Sequence, residues 1–279
     1  MEPNVEQTNM GPVSAPLFQP SDRIDQATKQ KYWDAAVGLQ TVDNLSASKY
    51  LESLIAKHVE GTMKYQELET ELHNYYNSIT EYTPDKEADM VAISIYAILA
   101  DESPFTLDID TLKKYHQFLF RDLDPTFFHP GEFRIVNITK KEPILGGDTV
   151  RYEDFNNLEA SLQSVINFEK SIYYLSMNAQ QKATHFADFT AKLWRVHPFR
   201  EGNTRATATF IQKHAKSIHL QVDNSLFKNN ALYFRLALVR ANYNNPSRGL
   251  PINTQYLINF FENLLFGANH PLDPETLKH

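Results

Sequence analysis

Apolar residues recur every three or four positions along most of this chain, which is the spacing of amphipathic helices. The pattern predicts a helix over 25–39 and another after Leu45, where Ser46 or Ser48 caps a stripe of Tyr50, Leu51, Leu54 and Ile55. Gly61 ends it, a third helix covers 65–76, and Pro84 closes the unit. Further helices are predicted over 87–99, 109–123, from Asp154 through Phe168, 178–196, 203–217, 229–243 and 254–266. One stretch departs from the period. Residues 134–150 carry β-branched runs, a polar break at Lys140-Lys141-Glu142 and the pair Gly146-Gly147, which predicts a β-hairpin. The expected architecture is all-α with one hairpin: a loose, proline-bearing arm over 1–25, a small helical unit over 26–82 and a main domain over 83–279.

At 279 residues and 42% hydrophobic content the chain has material for a sizeable core. Its net charge of −7 argues against a basic nucleic-acid footprint. With no cysteine, disulfides and thiolate metal sites are excluded, and a reducing, cytoplasmic setting is expected. No apolar run approaches the roughly 20 residues of a membrane span, and the first ten residues lack a signal-peptide pattern, so no membrane partner is expected. The apolar segment FFENLLFGANH, 260–270, is a candidate self-contact for a homo-oligomer.

Chemistry concentrates in HPFREGNTR, His197 to Arg205, at the junction of two predicted helices. Pro198 and Gly202 punctuate the turn, and the second helix starts near Asn203 with free N–H groups facing the loop, a ready anion site. Arg205 in that first turn opposes the helix dipole, which suits a phosphate ligand better than a structural role. Glu201 beside bound phosphate would be repulsive without a bridging Mg²⁺; taken alone, it reads as a solvated carboxylate favoured by the dipole. His197 titrates near working pH and suits proton abstraction from a hydroxyl.

HPFREGNTR closely resembles the Fic/Doc signature HPFx[DE]GNGR, and the surrounding helices and hairpin resemble that family over roughly 85–265. The resemblance implies a helical Fic core that transfers AMP from Mg-ATP to a Ser, Thr or Tyr hydroxyl of a protein. It makes His197 the general base, Phe199 the anchor of the loop, and Glu201 the Mg²⁺ ligand. Gly202 and Asn203 become part of the anion hole and Arg205 the phosphate grip, with Arg200 and Thr204 also at the nucleotide. The hairpin becomes a flap that docks the target segment, and Asn242, with Tyr233 or Phe234, falls where the family contacts the nucleoside. Two departures stand out. Thr204 replaces a glycine, so its side chain is expected to narrow the phosphate cradle and to admit another nucleotide orientation, including γ-phosphate transfer. Ala208 replaces a second arginine, a loss worth about 1.5–3 kcal/mol of charged hydrogen bonding.

Residues 25–80 resemble the small antitoxin that pairs with some Fic toxins and presents [ST]xxxE[GN] to the nucleotide site. On that alignment Leu39 replaces Ser/Thr, Asp43 replaces Glu and Asn44 fits. Asp43 then lacks its arginine at 208, so inhibition by steric filling rather than by an ion pair is expected. The bland alternative makes Asp43 an exposed residue at a helix end. The functional expectation is a protein adenylyltransferase held back by its front helices. The alternatives are a phosphotransferase or other nucleotidyltransferase, and a non-catalytic module that binds a nucleotide or a partner.

Overall fold

Asp25 begins the helical fold by accepting the backbone N–H of Thr28, which caps α1 (Gln26–Gly38). The computed structural model describes residues 17–79 and 83–278. After α1 the chain tightens into a 3-10 turn, Leu39–Asp43, and Asn44 ends that turn in the left-handed region at φ 58°. Ser48 then caps α2 (Lys49–Glu60), and Gly61, also left-handed, terminates it. Helix α3 (Tyr65–Ser78) completes the front unit. The main body follows as α4 (Asp85–Ala100), α5 (Ile109–Leu119), α6 (Pro125–Phe128), α7 (Leu158–Lys170), α8 (Ala179–Val196), α9 (Asn203–Ser217), α10 (Phe227–Asn242) and α11 (Gln255–Phe266).

Two helices sit at the centre. Ala88–Ala100 of α4 and Asn203–Ala215 of α9 are buried on every side, and the other helices wrap them. The front unit packs directly on this centre. Trp33 stacks on Tyr96 of α4 at 4.2 Å. Gly38 lets α1 approach α10 so closely that a Cβ there would lie 2.3 Å from the carbonyl oxygen of Phe227. Buried Asp89 of α4 accepts hydrogen bonds from the Ser48 amide, the Ser48 hydroxyl and the Tyr76 hydroxyl, and so ties α2 and α3 to the core.

Three expectations need correction or limits. The first sixteen residues of the expected arm lie outside the described residues, as do 80–82, where the expected boundary falls. Residues 17–25 are not loose: Phe18 packs edge-on against Tyr115 and Phe118, and the Ser21 amide donates to Ala100 O. The β-hairpin over 134–150 does not form. A single isolated bridge, Lys141 to Thr149, is all that pairs there. Pro143 has no N–H for a ladder and opens a 3-10 turn, and Gly146 and Gly147 reverse the chain at positive φ, so too few residues remain to extend the pairing. Third, the candidate self-contact at 260–270 turns inward: Phe260, Phe261, Leu264 and Leu265 are core, and Phe266 alone of its large apolar side chains is exposed. Among the described residues no helix is long and apolar enough to cross a membrane.

Candidate active site

Helix α8 stops at His197, whose φ of 50° breaks the helical path while its amide still donates to Trp194 O at 3.0 Å. Pro198 cannot continue the ladder. Phe199 then plunges into the core and stacks on His116 of α5, with centroids 3.7 Å apart. The Gly131 amide donates to Nδ1 of His116, so the proton of this ring sits on Nε2, which donates to the carbonyl of Glu201 at 3.0 Å. Burial holds this imidazole neutral, with its pKa pushed down to about 3. Asn203 closes the turn: its side chain accepts from the Phe199 amide and donates to the Phe199 carbonyl. Gly202 has φ 72°, and a Cβ there would lie 2.0 Å from Cζ of Phe120, so only glycine fits.

The His197 ring is buried. Nδ1 lies 3.3 Å from Trp194 O, which can only accept, so Nδ1 carries the hydrogen. Nε2 is left with its lone pair, buried and without a hydrogen-bond partner among the described residues. Tyr152 stacks on the ring at 4.0 Å. Burial first, then the Lys140 charge, pushes the His197 pKa well below the usual histidine range, so the imidazole is a neutral base at neutral pH.

Arg205, 2% exposed, is enclosed by the front unit and α4. Nη2 donates to Glu87 Oε1 at 2.7 Å and Nη1 to Gln40 Oε1 at 3.2 Å. Asp43 Oδ2 lies 2.9 Å from Nε, a close ion pair whose N–H is not aligned on the oxygen. The guanidinium also sits over the Phe120 ring. This corrects the expectation that Asp43 lacks an arginine. Position 208 is a buried alanine, but Arg205 supplies the partner instead. Asn44 contributes the left-handed backbone that ends the Asp43 turn.

Thr204 does not narrow the cradle. Its hydroxyl accepts from the Trp194 indole N–H at 3.0 Å, which fastens α9 to α8 inside the core. Arg200 points outward, where it leans on the Phe127 ring and approaches His129, away from the joint's interior. Tyr233, expected at the nucleoside, instead closes the α10–α11 interface, with its hydroxyl donating to Tyr256 O. Asn242 donates to Ala191 O and Leu238 O and borders a cavity of about 540 Å³. Ile138, Thr149 and Tyr152 line the same cavity.

The irregular flap forms the other wall. The Arg134 amide donates to Pro198 O, and its guanidinium donates to the carbonyls of His197, Val136 and Glu153. Buried Glu142 receives a bidentate pair from Arg235 of α10 at 2.8 and 3.0 Å. Asp148 accepts from the Tyr243 hydroxyl at 2.7 Å.

Residues 106–215 match the model of the Fic/DOC family. This segment is a Fic/DOC domain. Solved structures share its fold. The N-terminal Fic domain of a VirB-translocated Bep effector protein of Bartonella quintana has a TM-score of 0.50 at 20% identity, covering 66% of this chain and 84% of that one. The N-terminal FIC domain of Bep8, a VirB-translocated effector of Bartonella sp. 1-1C, has a TM-score of 0.50 at 17% identity, with coverage of 70% and 89%. A Fic family protein of Desulfovibrio desulfuricans G20 has a TM-score of 0.50 at 11% identity, with coverage of 87% and 66%. No curated protein matches the sequence.

Within the Fic domain the Glu201 side chain is one-third exposed and takes an ion pair from Lys140 of the flap at 2.9 Å. Among the described residues no group of three His, Cys, Asp or Glu could enclose a metal ion. A single carboxylate still fits Mg²⁺ that keeps waters and nucleotide oxygens as its other ligands, provided Lys140 gives way. The motif did not reveal Gln40, Glu87, His116, Arg134, Lys140 and Tyr152. All six lie 45 or more residues from the joint in sequence, and no local pattern links them to it.

Proposed function

We propose that this Fic domain is a protein adenylyltransferase, and that the front unit holds it closed. The observation that carries the transfer reading is the buried Nε2 of His197, a fixed lone pair with no partner, beside a helix N-terminus built to accept phosphate. A hydroxyl entering over the flap loses its proton to Nε2. Its oxygen forms a bond to the α-phosphorus, the bond to the leaving oxygen breaks, and pyrophosphate departs. The proton remains on the imidazole, and Nδ1–H on Trp194 O keeps the ring aligned throughout. Loop N–H groups and a freed Arg205 stabilise the charge on the phosphate oxygens. Glu201 would hold Mg²⁺, which when bound neutralises charge on the polyphosphate. Ile135 and Val136, exposed beside the Arg134–Pro198 contact, offer backbone and apolar side chains to a target segment.

The closed state follows from Arg205. With Asp43, Glu87 and Gln40 around it, the guanidinium has no free face for phosphate. Release of Asp43 opens that face, so inhibition acts through an ion pair to the catalytic turn. The phosphotransferase alternative draws on a Thr204 side chain inside the cradle. That side chain faces Trp194, which favours AMP transfer.

Intact-mass spectrometry after incubation with Mg-ATP tests this reading. Asp43→Ala is expected to gain about 329 Da per AMP, and Asp43→Ala with His197→Ala to gain nothing. A gain of about 80 Da would mark phosphate transfer instead. No gain in Asp43→Ala with any nucleoside triphosphate would leave the non-catalytic reading.

A further inference from the structure

The far end of α9 carries a second concentration of charge with the opposite bookkeeping. Helix α9 begins at the catalytic turn and ends about 22 Å away, at a rise of about 1.5 Å per residue. There a cavity of about 470 Å³ opens between α1 and the last turns of α9, within the size range of small-molecule sites. Lys31, Lys213, Lys216 and His219 line it. Lys213 is only 6% exposed. Among the described residues its ammonium donates to one group, the main-chain carbonyl of Asp101. The Asp101 carboxylate is itself engaged by the Gln19 amide and the Ser103 hydroxyl, and no carboxylate among the described residues pairs with Lys213 or Lys216. Lys216 lies one turn on, and its ammonium reaches only the Tyr32 hydroxyl at 3.3 Å. Lys31 stands at the rim, half-exposed and paired with Asp223 at 3.2 Å.

A helix C-terminus favours cations, which accounts for lysines at this end of α9. It does not account for burying one with no carboxylate in contact, since an ammonium out of water costs several kcal/mol unless an anion compensates it, and the Asp101 and Glu102 charges favour Lys213 only from beyond ion-pair distance. The chain as a whole is acidic at −7, so this group of lysines is not spill-over from a basic surface.

We infer that this cavity binds a small phosphate-bearing anion between α1 and α9. A phosphate group places several acceptor oxygens and a compact negative charge in a cavity that Lys31, Lys213 and Lys216 line. Because α1 leads straight into the turn that carries Asp43, a ligand here fastens the inhibitory segment to the helix that carries Arg205. The inference is independent of the transfer chemistry proposed above.

Pyrophosphate serves as the probe, at constant ionic strength and without metal. Calorimetry is expected to show binding to the full chain and at least about tenfold weaker binding to Lys216→Met, the loss of one charged contact. Lys216 is exposed, so this variant keeps the fold. Acetic anhydride footprinting locates the ligand on the wild-type protein: pyrophosphate is expected to protect Lys216 and to leave Lys140, beside the catalytic turn, unprotected. Protection of Lys140 alone, equal affinity of wild type and Lys216→Met, or no heat at millimolar pyrophosphate would each overturn the inference.

Discussion

The turn 197–205 and the flap 134–152 face each other across His197, yet they are held by different means. The turn is fixed largely from within: Asn203 brackets Phe199, and the His197 amide reaches back to Trp194. Its two deep insertions, Phe199 on His116 and Gly202 against Phe120, lock it to α5 and its end. The flap has almost no backbone ladder. It is suspended by long-range side-chain ties, Arg134 to the turn and Glu142 to Arg235. On the proposed reading, the turn that presents the base in one geometry is the rigid part, and the surface that would admit a substrate hangs from a few charged contacts that are removable one at a time.

Substitutions separate the two. Gly202→Ala is expected to be the most damaging, because a Cβ overlaps the Phe120 ring and the residue sits at positive φ. Overpacking and backbone strain together put the loss at about 4 kcal/mol, read as the urea midpoint. Arg134→Met strips the carbonyls of His197, Val136 and Glu153 of their donor and is expected to cost about 3 kcal/mol. Hydrogen exchange should accelerate through 134–152 more than through 197–205. Glu142→Gln weakens the bidentate pair and is expected to cost about 2 kcal/mol, with faster proteolysis inside the flap and an unchanged turn. Were Glu142→Gln to loosen both regions equally, the contrast would fail.

Acid should act the other way round, on the turn first. His116 and His197 are buried and neutral, with folded-state pKa values depressed by burial. Their full contribution is present above the unfolded value near 6.5 and is lost as pH falls toward the folded value, about 3 for His116. Lowering the pH from 7 to 5 is expected to cost about 2 kcal/mol through His116, at about 1.4 kcal/mol per proton and pH unit, and His197 acts in the same direction. His116→Gln should flatten the stability-pH curve by one proton, which thermal melts across pH 4–7 would show.

The same division explains what could be read from the sequence. Helical periodicity located α8 and α9, and the motif between them named His197, Glu201 and Arg205, because the residues that shape a helix–turn–helix joint are neighbours in the chain. The flap misled: β-branched residues flanking Gly146-Gly147 suggest a hairpin, but Pro143 and the ties to Arg235, Tyr243 and Arg248 impose a loop. Tyr233 misled for a related reason, since an aromatic on α10 serves the core as readily as a ligand. The partner of Asp43 was hidden because the resemblance assigns that role to position 208, an alanine here, and only packing shows that Arg205 takes it.

The central claim is that Asp43 and phosphate compete for Arg205. Calorimetry of Mg-ATP binding to wild type and Asp43→Ala tests it most directly. The account predicts at least about tenfold tighter binding in Asp43→Ala, the release of one charged contact; equal or weaker binding in that variant would contradict it.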